Sequence, residues 1–196
     1  MKKITLALLV IGICSCTSEV STDGDILFEK GMFAEAIEAY SNYLSTNPDH
    51  AKTLYNRGRA YEEVGKAELA TSDFQKILSL DPKNINAYLS LAKLSYNSNN
   101  YAQVLHFTNK VIELNENSSQ GHFLAARAAH QLGFTDQALE SYNNAITINK
   151  SFGEAFLYRG ALKIGLDKKR SACEDFNFAR SLGVAGASDA LQKYCN

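Results

Sequence analysis

Four cysteines and four histidines are the side chains here best suited to bind a metal, cycle a disulfide or attack a substrate. Cys14 and Cys16 lie in the stretch IGICSCTS, where they could ligate a metal, form a redox pair or serve as an anchor. No histidine and no second cysteine pair stands near them at zinc spacing. Upstream, Met1-Lys2-Lys3 is followed by an apolar run over residues 4–13, broken by Thr5. That is the positive n-region and h-region of a secretory signal. A bilayer-spanning helix needs roughly 20 apolar residues, so the run is too short for a stable span. The two cysteines therefore mark a processing site.

The histidines, His50, His106, His122 and His130, have no metal-ligand spacing to one another or to cysteine. HExxH, GxSxG and a phosphate-cradling glycine loop are all missing from the sequence. Glu62-Glu63 and the Glu35/Glu38 pair fit solvated helix faces. No catalytic activity, metal or cofactor is expected.

Ile13-Cys14-Ser15-Cys16 resembles the lipobox of bacterial lipoprotein signal peptides, in which a small residue precedes the modified cysteine. The resemblance implies cleavage after Ser15, a signal peptide of residues 1–15 and lipidation of Cys16. Several acyl chains, each methylene adding about 0.8 kcal/mol, would anchor the chain stably. It also implies a bacterial cell envelope, with the outer membrane the expected place. The alternative is an ordinary secreted protein cut a little further on. Residues 16–22 read as a flexible tether.

Hydrophobic residues make up 45% of the 196, enough for a core. A formal net charge of −1 argues against a nucleic-acid binder, which must neutralise many phosphates. One domain is expected.

The chain repeats itself every 34 residues, as in the unit spanning residues 51–84. Gly24, Gly58, Ala92, Ala126 and Gly160 form one column, and Ala36, Ala70, Val104, Ala138 and Ala172 another. Tyr40, Phe74, Tyr142 and Phe176 form an aromatic column with Thr108 as its exception. Gly31, Gly65, Asn99, Gly133 and Asp167 mark turns, and Pro48 and Pro82 close the first two units. Within a unit the apolar residues recur at 3–4-residue spacing, predicting helices A (51–64) and B (67–80) in the second unit. Small residues at Gly58 and Ala70 let the two helices approach closely.

Leu54, Gly58, Tyr61, Ala70, Phe74 and Pro82 resemble the pattern of the tetratricopeptide repeat (TPR) family. The resemblance implies an all-α, right-handed solenoid of about five helix-turn-helix repeats over residues 23–184, with boundaries near 50, 84, 118 and 152. A capping helix is expected over 185–196, with Ala187, Leu191 and Tyr194 at helical spacing and Gly183 ending the helix before it. The stretch from Ala172 to Cys195 is similar to a C-terminal module of bacterial TPR lipoproteins. His122 falls in a packing column with Leu54 and Tyr88 and reads as a core histidine. His106 falls on the outer face of a B helix and His50 in an inter-repeat turn. The sequons at Asn117 and Asn149 read as turn residues.

Once the signal is removed, Cys173 and Cys195 are the thiols left in the folded body, in an oxidising compartment that favours pairing. They lie roughly symmetrically about the turn near Val184, and antiparallel helices bring such positions side by side. A disulfide is expected, the alternative being two buried free cysteines.

In TPR arrays the A helices line the concave face. Arg59, Lys93 and Arg127 then form a cationic column ending at Ala161, beside an apolar stripe of Tyr55, Leu89, Phe123 and Leu157, with Tyr96 and His130 one turn further on. This surface suits a protein or peptide segment with carboxylates and apolar side chains. The alternative is a column of solvated cations balanced by Glu62 and Glu63. The expected function is a membrane-tethered scaffold for a protein partner, and the resemblance implies a role in envelope assembly; the other class is capture of a small molecule or glycan for an uptake system.

Overall fold

The computed structural model describes residues 19–195. The expected signal peptide and the lipidation at Cys16 lie outside the described residues. All regular structure among the described residues is helical. The A helices are α1 (Glu19–Glu29), α3 (Ala51–Glu63), α5 (Ile85–Asn97), α7 (Ser119–Gln131) and α9 (Gly153–Gly165). The B helices are α2 (Phe33–Thr46), α4 (Ala67–Leu80), α6 (Tyr101–Leu114), α8 (Thr135–Ile148) and α10 (Lys169–Ser181). A last helix, α11 (Ala187–Tyr194), begins one full repeat step after α9. It therefore occupies the place of a sixth A helix. Because α1 begins at Glu19, residues 19–22 are helical where a flexible tether was expected.

Each A–B turn is made by one residue in the left-handed region, which closes the helix and reverses the chain. Gly31, Gly65 and Gly133 do this at φ 73–77°, and Asn99 and Asp167 at 59° and 57°. Asparagine and aspartate tolerate this conformation better than other non-glycine residues. The B–A turns are built differently. His50, Asn84 and Ser118 each accept a hydrogen bond from the backbone N–H three residues on, capping the next A helix.

The core is a row of three buried clusters between the helix layers. Tyr40, Phe74, Tyr142 and Phe176 are at most 1% exposed. The Phe74 ring lies where a side chain on Gly58 would begin, 2.7 Å from an ideal Cβ. Thr108 is buried in the same column and its hydroxyl donates to the Val104 carbonyl at 2.9 Å, so it carries no unmet polar group. At the C-terminal end Tyr194 stacks on Phe176, and Cys173 and Cys195 are joined by a disulfide with Cα atoms 5.8 Å apart.

Candidate functional site

Neighbouring A helices, such as α5 with α7 and α7 with α9, approach one another more closely than any two B helices do. The A helices therefore line the inner face of the curve. On that face the residues expected to bind a partner divide between two concavities.

The first, of about 280 Å³, is formed by α1, α2 and α3 and holds Tyr55 and Arg59. Asp25 is its polar centre. It accepts hydrogen bonds from Tyr40 (2.9 Å), Asn56 (2.7 Å) and Lys52 (3.0 Å). Burial works to raise the Asp25 carboxyl, but these donors and the Lys52 charge outweigh it and hold the group below its ordinary value. Arg59 is engaged by its own helix. Its Nε lies 2.8 Å from Glu62 and a terminal nitrogen 3.9 Å from Glu63.

The second, of about 270 Å³, lies between α5, α7 and α9 and holds Lys93, Tyr96, Phe123 and Arg127. Here the Arg127 guanidinium is sandwiched, 4.0 Å from the Tyr96 ring centre and 4.6 Å from that of Tyr158. Stacking of this kind holds a planar cation in place and leaves its edges to donate hydrogen bonds. The Arg127 Nε is buried and has no hydrogen-bond partner among the described residues. Lys93 is exposed, with no carboxylate at ion-pair distance among the described residues. Phe123 and Phe152, ring centres 4.7 Å apart, form the apolar wall, and Glu154 stands at the rim.

The other expected residues contribute less. Leu89 packs against the core and His130 lines neither concavity. Burial pulls the His130 imidazole below its ordinary value. Phe123 is 8% exposed, so it presents an edge and not an open face. His122 corrects the expectation of a core histidine: it is half-exposed, and its Nε2 lies 3.0 Å from the Glu116 carbonyl, a backbone partner at the helix start. His106 is exposed on α6. No group of three or more His, Cys, Asp or Glu is arranged to hold a metal among the described residues.

Sequence reasoning missed a second set of polar residues. Arg57 binds Asp73 bidentately and Ser41, tying α3 to α4 and α2. Arg159 binds Asp175 and Asn143 in the same way, and Lys163 joins Asp175 at 2.8 Å. The signal was present in register: column 57 reads Arg, Leu, Ala, Arg while column 73 reads Asp, Phe, Ser, Asp.

This architecture is a tandem array of helical hairpins with a groove lined by every first helix. A tetratricopeptide-repeat profile matches residues 51–84 and a related TPR-repeat profile residues 24–65. A profile for subunit 3 of the anaphase-promoting complex, cyclosome, matches residues 74–145. The chain carries TPR repeats, and its architecture is that of a TPR-type protein-interaction scaffold. Among curated proteins it is similar to PHOX3 of Arabidopsis thaliana, 41% identical over 86 residues, which cover 44% of this chain and 10% of that one. The chain spans less than a fifth of the length of the first such relatives. Among solved structures, MamA is 24% identical with a TM-score of 0.74, over 91% of this chain and 94% of that one. YrrB, a TPR protein with an unusual peptide-binding site, is 18% identical with a TM-score of 0.70, over 90% and 92%.

Proposed function

We propose that the chain is an envelope-tethered scaffold whose inner groove binds a protein segment pairing a carboxylate with an aromatic or large aliphatic side chain. The observation carrying this reading is Arg127, clamped between Tyr96 and Tyr158 with a buried, unpartnered Nε beside an apolar wall. A carboxylate reaching its edge would gain charge-assisted hydrogen bonds without having to order the arginine first. Lys93 adds a second cation at the mouth. Arg59 is a weaker participant because Glu62 and Glu63 already compete for it. Glycan capture is disfavoured for a physical reason: Arg127 covers the Tyr96 and Tyr158 faces on which a sugar would stack.

The tether in this reading is lipid on Cys16, supported by Ser15 before it and the basic and apolar segments upstream. An assembly role in the envelope follows from the resemblance to TPR lipoproteins. Mass spectrometry of the mature amino terminus tests the anchor, and a start beyond Cys16 or a retained signal refutes it. The groove is tested by titrating a blocked peptide containing a Glu-Phe pair. Arg127→Ala, alone or with Arg59→Ala, is expected to weaken binding at least tenfold, and wild-type binding should weaken as salt rises. Unchanged binding by a variant of intact helicity refutes the groove.

A further inference from the structure

A cleft of about 450 Å³, larger than either groove concavity, opens between α4 and α6 over α5. It lies on the B-helix side of the array, away from Arg127. Its origin is legible by stepping back one repeat. Where the first pair of repeats places Phe33, Ile37 and Tyr61, this junction has Ala67, Thr71 and Ser95. The bridge is missing as well. Ser41, Arg57 and Asp73 correspond to Gln75, Leu91 and Phe107. Three large side chains have been exchanged for small ones, and the ion pair for Leu91 and Phe107, which with Leu94 make an apolar floor.

We propose that this cleft receives an uncharged, extended polypeptide segment of a partner, seating one aromatic or large aliphatic side chain on that floor. The occupant is argued from the residues that stand at the equivalent positions one repeat earlier: the chain's own Phe33, Ile37 and Tyr61. The walls supply matching main-chain partners. Gln75 on α4 and Gln103 on α6 face the cleft from opposite sides, and neither side chain is hydrogen-bonded to another described residue. A carboxamide donates and accepts at once, as a peptide group does. Glu68 is the one ionisable group in the lining, so a charged segment finds no set of counter-charges there. Phe107 is 9% exposed and offers no open ring face for stacking a sugar. The site is independent of the groove reading.

The full chain, isotope-labelled for NMR, is titrated with acetylated, amidated Gly/Ser peptides carrying a central Phe or a central Ala, and with maltotriose. The expected result is saturable shifts of the Gln75 and Gln103 side-chain amides and the Leu91 methyls, at least tenfold tighter for the Phe peptide. Arg127→Ala should leave these shifts unchanged, which separates this site from the groove. Ala67→Phe with Thr71→Ile and Ser95→Tyr restores the residues of the preceding repeat and should abolish binding. Ser95→Tyr alone is the second variant should the triple one fail to fold, and should weaken binding at least tenfold. No saturable shift, equal affinity for the Ala peptide, saturation by maltotriose instead, or undiminished binding by a folded Ser95→Tyr variant would each overturn the proposal.

Discussion

Arg57 grips Asp73 through two parallel hydrogen bonds of 2.8 and 2.7 Å, and three repeats later Arg159 grips Asp175 at 2.9 and 2.6 Å. Each arginine also reaches back to the preceding B helix, Arg57 to Ser41 and Arg159 to Asn143. One side chain thus fixes the angle among three helices. The Asp73 contact is also the leading reason that the Arg57 guanidinium is held above its ordinary value.

Breaking this bridge from one side should cost more than removing it. Asp73 is 4% exposed, so Arg57→Ala leaves a buried carboxylate without its partner, at about 3 kcal/mol. Arg57→Leu with Asp73→Phe copies the pair found at Leu91 and Phe107 and should cost less than Arg57→Ala. Urea unfolding of the two variants checks the order.

Reducing the disulfide should loosen α11 while leaving the rest folded. A closed loop of this length contributes about 3 kcal/mol. Hydrogen exchange in dithiothreitol, or of Cys195→Ser, should show lost protection confined to residues 187–195. Uniform loss across the chain would contradict a local staple.

Gly58→Ala and Gly160→Ala should destabilise, because the new Cβ would lie 2.7 Å from Phe74 and 2.6 Å from Phe176. Both rings are buried and cannot swing aside, and overpacking of this kind costs about 1–3 kcal/mol. Gly165→Ala meets nothing within 4 Å and should instead stabilise, by about 0.5 kcal/mol. Thermal unfolding separates the two classes.

Two carboxyls should move stability in opposite directions with pH. Burial, aided by Glu63, lifts Glu62 above its ordinary 4.5 despite Arg59 and Lys93. Folding therefore favours its protonated form, and that advantage is lost as pH rises through the folded value. Glu62→Gln should be more stable than wild type near neutral pH, with the gain disappearing below 4.5. Asp25 is depressed below 3.8, so its contribution is present above that value and lost as pH falls through the folded one. Asp25→Asn should be less stable near neutral pH, with the loss shrinking in acid.

The solenoid was legible because its packing columns recur: a small residue against an aromatic, as Gly58 against Phe74, returns in every repeat but the one with Thr108, and the turn at Gly65 returns in all five. Asn99 and Asp167 keep the turn without glycine because their short polar side chains tolerate a positive φ. The site was only partly legible. A column locates Arg127 on the groove face, but its clamping by Tyr158 depends on the next A helix, at a position that reads Asn56, Ser90 and Leu124 in the earlier repeats. His122 was misread because a column gives the face of a helix and not the depth at its first turn, where the carbonyl of Glu116 draws the ring outward. The Arg57 and Asp73 bridge escaped because the pattern was read through its apolar residues, and the pair is apolar or small in the intervening repeats.

The staple between Cys173 and Cys195 gives the array a direction. A solenoid held by nearest-neighbour contacts melts from its ends, since an end repeat has one neighbour to lose. The C-terminal end is covalently closed over Phe176, whereas α1 is held to α2 and α3 by packing and by the hydrogen bonds at Asp25. Unfolding then works like a zipper with one end sewn, opening from α1 toward α10, so the repeats carrying Arg127 and the cleft beside Gln75 are lost after the first hairpin and not before it.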